Sequence, residues 1–216
     1  MTRTKTQVLP IDAESIAECV LANRGLWIPR TTADESAKDY PEHEAMFYTM
    51  GRASYLDGNT PSYWSDSLAR NADLMRLFPD LYAEILKYFK KELNEPVYLA
   101  TDLAIPGFHI FESNPAFLEM GGDWHIDYPH TTLGLGSVDA STFTVPIMLP
   151  TGGAGLDRIG VDGEIHYLPY KEGELVWHTG LQEHRLAKLR TYVPNEYRIT
   201  LQGHIIRREG DMEVFF

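Results

Sequence analysis

The 216-residue sequence contains a single cysteine, Cys19. One cysteine excludes an intrachain disulfide, a CxxC redox pair and a multi-cysteine zinc site, and it fits a reducing compartment. The sequence also lacks an uninterrupted apolar run of the ~18 residues that a transmembrane helix needs. Its first residues, MTRTKTQVLPID, contain no apolar core of signal-peptide length. We therefore expect a soluble, cytoplasmic protein with no membrane partner.

Basic residues are also scarce. Lysine and arginine total 19 against 31 aspartate and glutamate residues, which gives a formal net charge of -12. Such a chain has no basic face to follow a phosphate backbone, so we expect no nucleic-acid partner. The length suits one well-buried domain, and we predict a single domain over residues 1–216. The sequence makes no prediction of an oligomeric state.

The first 95 residues are predicted to be mainly helical. Residues 11–23 place apolar side chains at helical spacing behind an acidic or serine cap, and residues 72–96 continue that spacing as one helix or a helix pair bent at Pro79. Between them, EAMFYTMG (44–51) is the best strand candidate, and LDGNTPSYW (56–64) is predicted to be a turn region. We expect this half to support a sheet that follows it.

The pattern changes after Pro96 to short runs rich in β-branched and aromatic residues, separated by Gly and Pro turns. The runs are VYLATDL, GFHIFES, DWHID, TFTVPIML, EIHYLPY, GELVWHTG and EYRITLQGHII. No helical segment of useful length interrupts them. This order favours an α+β fold, in which N-terminal helices buttress an antiparallel sandwich or barrel.

The stretch GGDWHIDYPH (121–130) carries the first chemical signal. In an extended strand, residues two apart point to the same face, so His125 and Asp127 would direct an imidazole and a carboxylate at one point while Ile126 turns away. Two histidines and one carboxylate on one face of an octahedron form the facial triad of non-haem Fe(II) sites. A second histidine must therefore come from later in the chain.

His178 and His184 compete for that position. The Gly-bounded strand that ends near Trp177 is expected to turn at Gly180, which would deliver His184 to the start of the next segment. A lone histidine is more often a surface or hydrogen-bonded core residue than a ligand. His125 is an exception because it is paired with Asp127, and the turn at Gly180 favours His184. We predict His125, Asp127 and His184 as the metal ligands and catalytic centre.

At this point the sequence resembles the Fe(II)/2-oxoglutarate-dependent dioxygenases, whose signature is HxD, a distant His, and a basic residue some ten to fifteen positions later. The intervals here are 184 − 125 = 59 and 198 − 184 = 14 residues. HxD alone is a weak signal, but the ordered set on strand-like segments is strong. The resemblance covers residues 97–208, about half the chain, and it implies a double-stranded β-helix (jelly-roll) core over residues 96–208.

Arg198 supports the same interpretation. Strand alternation places Arg198 and Thr200 on one face and Ile199 and Leu201 on the other. A guanidinium inside a barrel is costly without an anion, and its planar fork suits a carboxylate. The alternative is a structural role, in which Arg198 forms an ion pair with one of the many acidic residues of the chain. The resemblance implies that Arg198 binds the distal carboxylate of 2-oxoglutarate and that the Thr200 hydroxyl adds a hydrogen bond.

The resemblance also implies a reaction. Fe(II), 2-oxoglutarate and dioxygen would yield succinate and CO2 while a substrate C–H bond is hydroxylated. The halogenases of the family have a small residue in place of the carboxylate ligand, and this chain keeps Asp127, so halogenation is disfavoured. Desaturation, epoxidation and cyclisation stay open, because they depend on how the substrate is placed.

Four residues are candidates for the substrate side: Trp124, Tyr128, Arg158 and Arg190. Any of them could shape a pocket for a small acidic or amino-acid-like substrate. The absence of a lysine- or arginine-rich surface favours a small molecule, such as a free amino acid or a natural-product intermediate, over a macromolecular anion. For Trp124, a place in the core of the barrel wall is favoured over a substrate contact. His109 is either close to the cosubstrate or a solvent-facing strand residue. The substrate prediction is therefore limited to a small molecule.

Two other functions are compatible with the same residues. One is an Fe(II) oxidase or cyclase with the same barrel that uses dioxygen without 2-oxoglutarate, in which Arg198 holds the substrate's own carboxylate. The other is a non-catalytic jelly-roll protein that binds a carboxylate, with the histidines holding zinc or no metal. Succinate formation separates the first of these from a 2-oxoglutarate-dependent enzyme.

Overall fold

The computed structural model describes residues 4–30, 47–135 and 140–216, without the side chains of Pro129 and His130. His43 and the first three residues of the 44–51 strand candidate lie outside these ranges. The helices are α1 (Ala13–Ala22), α2 (Ser54–Asp57), α3 (Pro61–Leu77), α4 (Pro79–Leu93), α5 (Ala116–Glu119) and α6 (Pro129–Thr132). The strands are β1 (Lys5–Val8), β2 (Trp27–Arg30), β3 (Phe47–Met50), β4 (Val97–Leu99), β5 (Gly107–Glu112), β6 (Ala140–Met148), β7 (Leu156–Ile159), β8 (Ile165–Leu168), β9 (Glu174–His178), β10 (His184–Leu186), β11 (Tyr197–Arg208) and β12 (Asp211–Phe215).

Proline begins the two longest helices. Pro61 and Pro79 occupy the first turns of α3 and α4, where a missing N–H costs no hydrogen bond, and Phe78 separates the two helices. The predicted helix pair bent at Pro79 is confirmed. The turn predicted over residues 56–64 is wrong at both ends, because α2 finishes at Asp57 and α3 starts at Pro61. The proline of that segment starts a helix instead of forming a turn.

The described strands form two sheets. The major sheet has nine strands in the order β1-β9-β6-β11-β5-β3-β2, with β12 paired to β11 and β4 paired to β12. The minor sheet has the order β10-β7-β8. All pairs are antiparallel except β12 with β4. The predicted α+β fold with N-terminal helices is confirmed, and in the described residues the major sheet stays open.

The outer face of the major sheet packs against the helices. Ile199 and Leu201 of β11 are fully buried in one apolar cluster with Ile85 and Phe89 of α4. Burying one such side chain stabilises the fold by roughly 1.5–3 kcal/mol. This packing fixes the sheet from outside and leaves the opposite face of each central strand for the interior. No helix among the described residues is both long and apolar enough to cross a membrane.

The inner face of the major sheet carries two rows of side chains that run across neighbouring strands. In each row, a residue on one strand is the direct cross-strand partner of the row's residue on the neighbouring strand. The first row, across β11, β5 and β3, is Arg198, Phe111 and Phe47. The second row, across β9, β6 and β11, is His178, Thr142 and His204. One end of the sheet is therefore aromatic and cationic, and the other is lined by imidazoles.

Candidate metal centre

His125, Asp127 and His184 converge on one point between the two sheets. Each offers a ligand atom, and these atoms lie within 4.8 Å of one another. The Nε2 atom of His125 is 3.8 Å from Asp127 Oδ1, and the Nε2 atom of His184 is 3.5 Å from Asp127 Oδ2. Two imidazole nitrogens and one carboxylate are the donor set that suits a non-haem Fe(II) ion with open positions.

Backbone carbonyl groups determine which ring nitrogen carries the hydrogen in His125 and His184. The Nδ1 atom of His125 lies 2.7 Å from the carbonyl oxygen of Asp123, and that of His184 lies 2.7 Å from the carbonyl oxygen of Gln182. A carbonyl oxygen only accepts, so each Nδ1 carries a hydrogen, and in the neutral ring the lone pair lies on Nε2. Hydrogen bonds of this kind orient a histidine for metal ligation. Both lone pairs are therefore available at the same point.

The HxD segment is held by the strand that carries the third ligand. The backbone groups of His125 and His184 exchange two hydrogen bonds of 3.0 and 2.9 Å, which form an isolated bridge. The run DWHID was predicted to be a strand, and this is wrong, because among the described residues it makes one isolated bridge and no ladder. The two side chains nevertheless point to one place.

Glycines allow these backbones to approach closely. A Cβ atom on Gly121 would lie 2.5 Å from the carbonyl oxygen of Leu186. Gly180 has a φ of +71°, and a Cβ there would lie 2.7 Å from Thr142 Oγ1 and 3.2 Å from Asp127 Cβ. Any larger residue at Gly180 would meet both strain and a clash. The glycines thus set the position of the ligands as directly as the strands do.

Asp127 fixes the HxD segment to the major sheet. Its backbone N–H donates to the carbonyl oxygen of Gly180, and its Oδ2 atom accepts a 2.7 Å hydrogen bond from the Thr142 hydroxyl on β6. Burial alone would raise the pKa of Asp127, but the nearby His204 and His184 and the Thr142 hydrogen bond outweigh it, so the pKa lies below its ordinary value. Asp127 is therefore an ionised acceptor, as a ligand must be.

A hydrogen-bond chain continues behind Asp127. Thr142 Oγ1 lies 3.1 Å from the Nδ1 atom of His204. Because the single hydroxyl hydrogen of Thr142 goes to Asp127, Thr142 accepts here and His204 donates. The chain from His204 through Thr142 ends on the carboxylate and fixes its rotation.

His178 lies beside the centre in a different role. Its ring centroid is 5.0 Å from that of His184, and its Nδ1 atom accepts a 3.1 Å hydrogen bond from the backbone N–H of Gly180. An imidazole whose Nδ1 accepts carries its hydrogen on Nε2 and has no lone pair there for a metal. Burial lowers the pKa of His178 to about 4, so the ring is neutral. This arrangement supports His184 over His178 as the ligand.

Arg198 is buried, and no carboxylate among the described residues pairs with it. Only 6% of the residue is exposed. Its Nη1 atom donates to Thr200 Oγ1 at 3.3 Å, while its Nε atom has no hydrogen-bond partner among the described residues. Arg198 makes no ion pair with any carboxylate in the ranges that the structure describes. A buried guanidinium in this state is costly, and an anionic ligand would relieve that cost.

One cavity of about 590 Å³ joins the triad to Arg198. Its wall is formed by β3, β5, β6, β9 and β11 of the major sheet and by β7, β10 and the HxD segment opposite. The metal ligands and the guanidinium thus open into a single space. A volume of this size is typical of small-molecule sites.

The predicted substrate-side residues fall in different places. Tyr128 lines the cavity, and the other three are absent from its lining as the structure describes it. The guanidinium of Arg185 lies over the indole of Trp124, 4.4 Å from the centroid of that ring. Arg158 hydrogen-bonds to Thr4, and Arg190 lies exposed over the Tyr167 ring. Their roles in substrate binding stay predictions.

Several residues of the cavity were not predicted as site residues. His204 continues the alternation that starts at Arg198 and Thr200, so two more steps along β11 would have found it. His109, left open by the sequence, is buried, and its Nε2 atom is 3.0 Å from the hydroxyl of Tyr55. Burial and the charge of Arg198 lower the pKa of His109 well below its ordinary value. No sequence pattern links Tyr55 to this site.

No protein-family model and no curated protein sequence matches the chain. The structure is similar to a solved N-substituted L-amino acid dioxygenase from Burkholderia ambifaria AMMD, with a TM-score of 0.52 and 12% sequence identity over 100% of both chains. The same dioxygenase in complex with alpha-KG gives 0.52 and 11%, over 100% of this chain and 98% of that one.

A third similar structure is an oxidoreductase of the 2OG-Fe(II) oxygenase family from Burkholderia pseudomallei. Its TM-score is 0.53 at 12% identity, with 92% of this chain and 83% of that chain covered. At these identities the similarity establishes the fold. The chain has the jelly-roll fold of the 2OG-Fe(II) oxygenases, which confirms the predicted fold class.

Proposed function

We propose that this chain is a non-haem Fe(II)/2-oxoglutarate-dependent oxygenase that hydroxylates a small molecule and releases succinate and CO2. His125, Asp127 and His184 hold Fe(II), and Arg198 with Thr200 binds the cosubstrate. One observation carries the proposal: a buried guanidinium, whose Nε has no hydrogen-bond partner in the described part of the chain, opens into the same cavity as a two-histidine, one-carboxylate cluster. A metal site alone would have no use for that cation.

The donor atoms fit both groups. Two Nε2 lone pairs and an ionised carboxylate occupy one side of the centre, which leaves positions for a chelating cosubstrate and for dioxygen. The fork of Arg198 can pair bidentately with a terminal carboxylate. A solved structure of the same fold contains alpha-KG, which supports this assignment.

The chain supplies orientation and exclusion of water, while the bound iron and 2-oxoglutarate supply the oxidising chemistry. Thr142 keeps one carboxylate oxygen of Asp127 occupied, so the other is free to face the metal. His178 and His109 are neutral and add no positive charge beside the ligands. The apolar part of the cavity wall would keep water from the reacting centre.

The partners that follow are dioxygen, 2-oxoglutarate and a small organic substrate. A cytoplasmic location and a single domain over residues 1–216 stay predictions from the sequence. Retention of Asp127 as a carboxylate continues to favour hydroxylation over halogenation.

An anaerobic titration tests the proposal. Fe(II) and 2-oxoglutarate added together should give a visible charge-transfer absorption band that neither gives alone. His184→Ala should abolish the band, and His178→Ala, the matched neighbour, should retain it. A screen of small metabolites for stimulated succinate release then identifies the substrate.

The same titration separates the other functions. Iron binding with no change on adding 2-oxoglutarate, followed by product formation with dioxygen alone, would favour the oxidase or cyclase. Tight zinc binding with no band and no succinate would favour the non-catalytic carboxylate-binding protein. Either result would contradict the proposed function.

A further inference from the structure

The cavity is larger than its proposed cosubstrate. 2-Oxoglutarate has ten non-hydrogen atoms, and even at the ~30 Å³ that one water occupies in the liquid they would fill about 300 Å³. The cavity holds about 590 Å³, so about 290 Å³ stays open beside the cosubstrate. This space is enough for a ring-sized organic molecule.

The described wall of that space offers one strong cation. Arg198 is the only arginine or lysine among the described lining residues. Outside the described ranges the sequence adds two basic residues, Arg3 and Lys38. Residues 31–46, which contain Lys38, also have five acidic residues, a net charge of 1 − 5 = -4, and residues 136–139 contain no lysine or arginine. Once Arg198 binds the cosubstrate, the described lining has no cation left for a carboxylate of the substrate.

Aromatic rings occupy the wall next to Arg198 instead. Phe111 lies directly opposite Arg198 in the strand register, and its ring centroid is 5.5 Å from the guanidinium. Phe47 stacks on Phe111 at 4.3 Å with an interplanar angle of 9°, and Phe117 of α5 meets Phe111 edge to face at 5.9 Å. We call Phe47, Phe111 and Phe117 the aromatic wall. All three line the cavity and are only partly buried.

We propose that the substrate is an uncharged molecule with a flat apolar or aromatic ring, which binds against the aromatic wall. Rings placed in this way favour stacked or edge-to-face contacts, and an unpaired carboxylate beside them would lose its hydration without compensation. The inference rests on the proposed function, because it assigns Arg198 to the cosubstrate. It also replaces the acidic substrate suggested by Arg158 and Arg190, neither of which lines the described cavity.

The test uses two probes with the same ring system, 2-naphthylmethanol and 2-naphthoate. Their affinities are measured by calorimetry on the anaerobic Fe(II) protein, with and without saturating 2-oxoglutarate. With 2-oxoglutarate bound, 2-naphthylmethanol should bind at least about 10-fold more tightly than 2-naphthoate, because the carboxylate of 2-naphthoate would be buried without a cationic partner. Without 2-oxoglutarate, 2-naphthoate should bind at Arg198, and added 2-oxoglutarate should displace it.

Two variants on one helix locate the site. Phe117→Ala should weaken 2-naphthylmethanol binding by about 10-fold through lost ring contact and apolar area. The charge-transfer band of the Fe(II) and 2-oxoglutarate complex should be unchanged. Leu118→Ala is the matched control, since Leu118 is exposed and does not line the cavity. It should leave both measurements unchanged.

The outcomes separate this inference from the proposed function. A normal band with equal binding of both probes would overturn the inference and leave the oxygenase proposal standing. If no band forms but 2-naphthylmethanol still binds in a Phe117-dependent manner, the aromatic wall stands and the cosubstrate assignment fails. If neither probe binds in any state, the wall is not a ligand site.

Discussion

Replacing Thr142 with valine should weaken Fe(II) binding by about 10- to 100-fold. Valine keeps the shape of threonine but removes the hydroxyl that donates 2.7 Å to Asp127 Oδ2. A hydrogen bond to a charged group contributes about 1.5–3 kcal/mol, and at about 1.4 kcal/mol per tenfold this gives a similar range. His204 also loses this acceptor, so the carboxylate becomes free to rotate.

The assay is anaerobic competition for Fe(II) against a chromogenic chelator, at fixed pH. Thr144→Val is the matched control, because Thr144 lies two residues along the same strand, lines the same cavity, and hydrogen-bonds to Tyr170 instead of Asp127. Thr144→Val should leave the Fe(II) affinity within about twofold of wild type, which is the scatter expected for a substitution that does not interact with the metal site. Wild-type affinity in Thr142→Val, or equal losses in the two variants, would refute the argument that this hydroxyl positions the ligand.

Three further predictions concern the same region. Arg198→Gln should raise the Kd for 2-oxoglutarate by at least about 10-fold while Fe(II) affinity is retained, which calorimetry on the metal-loaded protein checks. Gly180→Ala should destabilise the fold by about 1–2 kcal/mol from left-handed backbone alone, and more from the clash with Thr142, as measured by urea unfolding. The folded-state pKa of His178, about 4, lies below the ordinary 6.5, so the unfolded chain binds the extra proton first and stability falls as pH drops through that window. The metal-free protein should lose about 2 kcal/mol of unfolding free energy from this group between pH 7.5 and pH 5, and His178→Gln should lose correspondingly less.

Alternation along strands predicted much of the site. Arg198 and Thr200 share the inner face, and Ile199 and Leu201 share the outer one, because a pleated strand leaves no other choice. The spacing from Gly180 to His184 is just long enough for a turn before the next strand. These are local rules, so one segment is sufficient to apply them.

Contacts between distant segments were beyond such rules. Tyr55 meets His109 because α2 lies beside β5, and no spacing in the sequence encodes that contact. Trp124 was predicted to be either a core residue or a substrate contact, and in the structure the guanidinium of Arg185 packs over it, outside the described cavity lining. Pro61 was predicted to lie in a turn, because proline is common both in turns and in the first turn of a helix, and the sequence alone does not separate the two.

The paired backbone bonds between His125 and His184 have a consequence for how the centre assembles. The segment that provides two ligands is tied by an isolated bridge to the start of β10, which provides the third. An ion shared by all three side chains would therefore stiffen both chain segments at once. Hydrogen exchange at the His125 and His184 amides should slow together, by a similar factor, when the protein takes up its metal.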